Sequence, residues 1–178
     1  MTSALLIIDV QQALCYGEWA AWQAQALIGR VNLLAQQARA ARRPVIWVQH
    51  EEDEGPLVFD APGWRLAQGL QTAPDDLYVR KRASDAFHQT ALHEILQARG
   101  VTNLVICGMQ SEYCIDSSCR RALALGYAVQ LAADAHSTLD NPHLPAAQII
   151  AHHNHTLSNL GSYGVRLQAL AAQQIVFA

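Results

Sequence analysis

Leu104-Val105-Ile106-Cys107-Gly108 is followed by Met109-Gln110-Ser111-Glu112-Tyr113-Cys114 and, beyond Gly126, by Ala128-Val129-Gln130-Leu131-Ala132. The apolar run before Gly108 is too short for a helix and rich in branched side chains. That is the pattern of a strand covered on both faces. Tyr113 to Leu125 reads as a helix ending at Gly126, and Ala128–Ala132 as a second strand closed by Asp134. Strand, helix and strand in this order form a crossover unit, whose two strands run parallel.

The same grammar extends outward. Leu5 to Ile8 is a short apolar run stopped by Asp9. From about Trp19 to Arg42, Ala24, Leu27, Ile28, Val31, Leu34, Ala35 and Ala38 recur at helical spacing, and Pro44 ends the helix before the strand Val45-Ile46-Trp47-Val48. Residues His50 to Asp76 carry turn signals at Gly55-Pro56 and Pro62-Gly63; so long an irregular stretch in a compact domain points to function. Leu77-Tyr78-Val79 is a short strand, and Gln89 to Arg99 a helix capped by Gly100. Pro145 opens a helix to about Leu157, and Ile175-Val176-Phe177 is a candidate final strand. The expected fold is α/β: a three-layer sandwich with a mainly parallel sheet, helices on both faces and Rossmann-like topology.

The chain has 178 residues, which predicts a single domain over 1–178. Hydrophobic residues make up 51% and charged residues 15%, a balance that excludes disorder as the main state. A formal net charge of −3 supplies no basic excess for a phosphate backbone, so no nucleic acid is expected. The start lacks a basic leader, and no apolar run approaches the roughly 20 residues of a membrane span. A cytoplasmic protein with reduced thiols is the expectation. Low charge together with Trp19 and Trp22 predicts a homo-oligomer.

Ligands of parallel sheets sit beyond the carboxyl ends of the strands. There the predicted strands deliver Asp9, Lys81 and Cys114 to one rim. A thiol is a weak nucleophile until it loses its proton. A helix N-terminus and the Lys81 cation would favour the thiolate, and Asp9 could take the proton and return it to a leaving amine. The backbone N–H groups of Gln110 and Cys114 could hold an oxyanion. Taken singly, each residue has a plainer reading: Asp9 as a cap, Lys81 as part of a solvated face, Cys114 as a small hydrophobe. Their convergence on one rim is what favours chemistry.

These residues lie in motifs that resemble the isochorismatase-like cysteine hydrolase family, which includes nicotinamidases, N-carbamoylsarcosine amidohydrolases and ureidoacrylate amidohydrolases. The likeness runs from Leu5 to about Leu160 through Ile8-Asp9-Val10-Gln11, Pro62-Gly63-Trp64, Lys81-Arg82-Ala83-Ser84-Asp85-Ala86-Phe87, Cys107 to Ile115 and Asp134-Ala135-His136-Ser137-Thr138. The resemblance implies Asp9 as acid/base, Lys81 as activating cation and Cys114 as nucleophile, with a cis peptide at Met109–Gln110. That peptide would turn the Gln110 N–H toward the oxyanion. Ser111 stands where the family most often has threonine. Val48-Gln49-His50 lacks the carboxylate of the nicotinamidase metal motif, so neither metal nor cofactor is expected.

Gln11, His50, Trp64, Phe87 and Tyr113 are candidate substrate-binding residues, with core packing favoured for Phe87. Cys15 is placed in a loop near the site edge. His152-His153-Asn154-His155, with His136 and His143 nearby in sequence, invites a metal reading that lacks a clear carboxylate or cysteine partner. The principal expectation is hydrolysis of a C–N bond in a small amide or carbamoyl compound through a thioester. Hydrolysis of an ester or vinyl ether is the enzymatic alternative; a non-catalytic binding or redox-thiol module is the third.

Overall fold

The computed structural model describes residues 2–178. Strands β1 (Ser3–Ile8), β2 (Val45–His50), β3 (Leu77–Lys81), β4 (Asn103–Met109), β5 (Ala128–Ser137) and β6 (Leu167–Leu170) form one sheet. Their order is β3-β2-β1-β4-β5-β6 and every pairing is parallel. The connections carry helices α1 (Gln12–Cys15), α2 (Ala24–Ala40), α3 (Leu92–Gln97), α4 (Asp116–Ala124) and α5 (Ala146–Ser158). A π-helical turn over Ser111–Ile115 precedes α4.

Alternation along the strands sorts the core into two layers. Leu6 and Ile8 of β1 join Leu96, Ile115, Leu123 and Leu157 on the face covered by α3, α4 and α5. Leu5 and Ile7 join Leu27, Val31 and Leu34 of α2 on the other. Both faces of β1 and β4 are therefore apolar, which is why those strands read as continuous hydrophobic runs. After β1 the chain leaves toward α2, whereas after β4 it leaves toward α4. The crevice between these departures is the topological switch point.

Several boundaries differ from expectation. The α2 stripe is buried as predicted, but the helix starts at Ala24 because Gln23 is left-handed (φ 53°), which right-handed helix cannot continue. The last strand is Leu167–Leu170 rather than 175–177: the Ala172 N–H is drawn to Asp134 Oδ1 at 2.7 Å, and Ile175 packs into the α2-side core. Asp134 does not close β5 but lies inside it. β4 advances from 106 to 108 while β5 advances from 131 to 136, a bulge that sets His136 beside Gly108.

The long segment after β2 is irregular but anchored. At its end, buried Asp76 accepts hydrogen bonds from Arg39 (2.6 and 3.1 Å), the Trp47 indole (2.8 Å) and the Ala73 N–H (2.9 Å). Burial alone would raise its pKa; Arg39, Trp47 and Ala73 outweigh it and hold the carboxyl below its usual range. Among the described residues, no helix is long and apolar enough to cross a membrane.

Candidate active site

Two local devices bring β1 and β4 to the site. Asp9 takes a left-handed conformation (φ 54°), tolerable for Asp, with its N–H on the Val48 carbonyl (2.8 Å) and its own carbonyl accepting the Gln11 N–H (2.9 Å). Gly108 has φ 122°, and a methyl group there would overlap the Ile8 carbonyl oxygen, so only glycine lets the two strands approach this closely. The Met109–Gln110 peptide is cis, as the family resemblance implies. The π-helical turn then carries Cys114. Lys81 ends β3 in register with His50 of β2.

The structure brings Asp9, Lys81 and Cys114 together. Lys81 Nζ lies 2.7 Å from Asp9 Oδ2 and 3.2 Å from Cys114 Sγ, with the Ala83 carbonyl at 3.1 Å and His50 Nδ1 at 3.3 Å. The Lys81 and Asp9 side chains are 0% and 2% exposed, so this is a buried ion pair held by geometry rather than by water. Burial opposes the Lys81 charge, but Asp9 and Cys114 outweigh it and its pKa stands above the ordinary lysine value. Asp9 Oδ1 is buried and has no hydrogen-bond partner.

At Cys114 burial and Asp9 work against the thiolate while Lys81 works for it. Burial first, then the Asp9 carboxylate, push the thiol up to about 12, and Lys81 only partly offsets them. Passing the thiol proton to Asp9 would leave the net charge of the centre unchanged, so the thiolate can arise locally without release of a proton to water. Burial and then Lys81 lower the His50 pKa, keeping the imidazole neutral. Its bare Nδ1 accepts from Lys81, while Nε2 faces Glu52 Oε1 at 3.5 Å.

These groups open onto a cavity of about 700 Å³ whose lining includes Asp9, His50, Gln110, Tyr113 and Cys114. The size suits a small organic ligand. A second cavity of about 550 Å³ borders Glu51, Arg80, Lys81 and Arg82 along β3 and reaches neither Asp9 nor Cys114. Tyr113 stands at the mouth of the first, 56% exposed.

Gln11, Trp64 and Phe87 are not among the lining residues. Gln11 is fully buried; its amide donates to the His50 and Trp64 carbonyls and accepts the His50 N–H, tying the long segment to β2. Trp64 sets its ring edge against Phe59 at 4.9 Å between centroids. Phe87 packs in the core, stacked on Tyr127. Cys15 is not in a loop: it ends α1, buried, its thiol pushed up to about 12 by burial. Cys107 and Cys119 are buried, and their thiols are raised as well.

A second polar cluster, unread in the sequence, supports the turn that bears Cys114. Asn154 Nδ2 donates to the Ala133 carbonyl (2.9 Å), which leaves its Oδ1 to accept from His136 Nε2 at 3.0 Å. Burial holds His136 neutral, with its pKa lowered to about 4, so Nδ1 is bare and accepts the Ser111 hydroxyl at 2.8 Å. Of the run His152 to His155, it is Asn154 that reaches this cluster. His153 bonds the Ile149 carbonyl and His152 lies 3.3 Å from the Thr156 hydroxyl. Trp19, Glu52, Glu112 and Asp140 also line the cavity, and of these only Glu112 lies in a motif quoted from the sequence.

An α/β fold with an Asp, Lys and Cys cluster at its switch point defines the class, and comparison with known proteins identifies the family. Residues 3–158 match the isochorismatase domain, and the chain belongs to the isochorismatase family. It is 40% identical over 145 residues to a streptothricin hydrolase of Streptomyces noursei, covering 80% of this chain and 52% of that protein. The chain thus spans about half the length of the streptothricin hydrolases it matches (52% and 57%). A crystal structure of an isochorismatase family protein aligns with a TM-score of 0.87 at 37% identity, covering 95% of this chain and 98% of the other. An isochorismatase from Pseudomonas putida KT2440 aligns with a TM-score of 0.90 at 27% identity, covering 98% and 90%.

Proposed function

We propose that the protein is a cysteine hydrolase that cleaves a non-peptide C–N bond of a small amide or carbamoyl compound through a thioester. One observation carries the reading: a single buried ammonium touches both the Asp9 carboxylate and the Cys114 sulfur at the wall of a cavity, while the other Asp9 oxygen has no partner. A buried polar atom without a partner is costly, and catalytic centres are where such costs are retained. The similarity to streptothricin hydrolase supports a hydrolytic reading.

As Cys114 Sγ attacks the carbonyl carbon, its proton passes to Asp9, and Lys81 stabilises the negative charge on sulfur. The carbonyl oxygen takes the displaced electron pair and lies against the N–H groups of Gln110 and Cys114. Collapse breaks the C–N bond, and Asp9 gives its proton to the departing amine. Water then attacks the thioester, passing one proton to Asp9, which returns it to the leaving Cys114 sulfur. The free acid departs and the resting centre is restored.

A screen of small amides, ureido acids and carbamoyl amino acids, reading ammonia or amine release, tests this reading. An active compound should leave an acyl adduct on Cys114, seen by mass spectrometry after acid quench, and Cys114→Ser should abolish both release and adduct. Undiminished turnover by Cys114→Ser would overturn the mechanism. The low charge and the exposed Trp22 (43%) and Val176 (71%) support a homo-oligomer, which sedimentation equilibrium tests.

A further inference from the structure

The charge around the cavity points to more than the bond that is broken. Four carboxylates, Asp9, Glu52, Glu112 and Asp140, line it, and among the described lining residues there is no lysine or arginine. Lys81 neutralises Asp9 from behind. Glu52 faces only His50, and Asp140 Oδ1 accepts the backbone N–H of Ala146. Glu112 has no cationic partner, and its Oε2 is buried without a hydrogen bond. Asp9, 2% exposed, and Cys114 border the same cavity, so the other three carboxylates surround the reacting centre rather than an open acidic surface. Two exposed aromatic side chains, Trp19 (59%) and Tyr113 (56%), stand at the same cavity.

Like charges that share a confined space with low-dielectric walls raise the local concentration of the opposite ion. A cation entering here would meet three carboxylates left uncompensated and two ring faces that attract cations. An anionic substrate would meet the same three as repulsion. We propose that the substrate is a cationic amide, bearing an ammonium or guanidinium group some distance from the scissile carbonyl. Glu112, with Glu52 and Asp140, would receive that group beside Trp19 and Tyr113 while the carbonyl lies at Cys114. This rests on the hydrolase reading for the carbonyl, but the cation site has its own test.

Three matched primary amides serve as probes: ε-aminocaproamide, its uncharged isostere heptanamide, and the anionic adipamate. The expected order of kcat/KM is cation above neutral above anion, with the first step about tenfold at low salt and clearly smaller in about 0.5 M salt. Glu112→Gln should lower the cation-to-neutral ratio several-fold. Equal or reversed preference in an active enzyme, or a ratio unmoved by both Glu112→Gln and Glu52→Gln, would overturn the proposal. Calorimetric titration of Cys114→Ser with hexylammonium and with hexanol decides the matter independently of turnover. Tighter hexylammonium binding that weakens in the added Glu112→Gln background supports the cation site; no difference between the two ligands overturns it. Should no amide be cleaved while hexylammonium binds selectively, the hydrolase reading fails and the cation site stands.

Discussion

Two buried polar clusters flank the turn that carries Cys114, and they are built on opposite terms. On one side Lys81 joins Asp9 and Cys114, one carboxylate oxygen is left without a partner, and the group borders a cavity. On the other, Ser111, His136, Asn154 and the Ala133 carbonyl form a chain in which each link has one donor and one acceptor. Both are desolvated to a similar degree, so burial does not distinguish chemistry from scaffold. What does is the unfinished hydrogen bonding next to open space. The finished chain is the sort that rigidifies a core.

Breaking the first cluster should have the largest effect. Asp9→Asn keeps the shape of the side chain but can no longer take the Cys114 proton, so kcat should fall about 10³-fold or more. Circular dichroism should show the fold retained. Near-normal turnover would mean that the unpaired oxygen has no part in the reaction, and the contrast between the clusters would collapse. Lys81→Met removes the cation from a buried carboxylate, and breaking one partner of such a pair costs about 3–5 kcal/mol. Urea unfolding should report that loss, and the variant should also be inactive. A stable Lys81→Met protein would show that the ion pair is weaker than its burial implies.

The second cluster is sharpened by pH. His136 stays neutral in the fold down to about 4, whereas an unfolded histidine takes its proton near 6.5. Between those values the unfolded chain binds more protons. The His136 contribution to stability is therefore complete above pH 6.5 and is lost as pH falls toward 4, on the order of 3 kcal/mol across the window. Urea midpoints of the wild type should drop through this range, and those of His136→Leu should drop less. Parallel curves for the two proteins would show that His136 is not held neutral.

How much of this was readable beforehand follows from the range over which each feature is determined. Asp9, Lys81 and Cys114 were legible because each sits at or just beyond the end of a short apolar run, and parallel topology sends such ends to one rim. The α2 face was legible because its stripe is local. The start of α2 was not, since it hangs on the left-handed Gln23, which the Trp22 bond to the Thr138 carbonyl helps to fix from far along the chain. His136 was hidden because a bulge, not strand alternation, aims it at Ser111. At Cys114 a helix terminus and a nearby cation are visible in sequence, while the desolvation that opposes them is a property of the packed whole. Glu52, Glu112, Asp140 and Trp19 come from four separate segments, with no spacing to join them.

The smallest expected effect tests whether the finished cluster matters to chemistry at all. Ser111→Ala deletes one hydroxyl from a fully buried site and leaves His136 Nδ1 as an acceptor without a donor. The loss of stability should be about 1–2 kcal/mol, the cost of a buried polar atom deprived of its partner. Because Ser111 is the first residue of the turn and Cys114 the fourth, loosening that anchor should move the sulfur relative to Lys81 and Asp9. The effect should fall on kcat, by several-fold, with KM little changed, since the carboxylates and aromatic rings that line the cavity remain in place. Ser111→Thr keeps the hydroxyl and should restore kcat. If Ser111→Ala loses stability but keeps full kcat, the chain through His136 holds the fold together without aiming the nucleophile, and only the unfinished cluster belongs to the reaction.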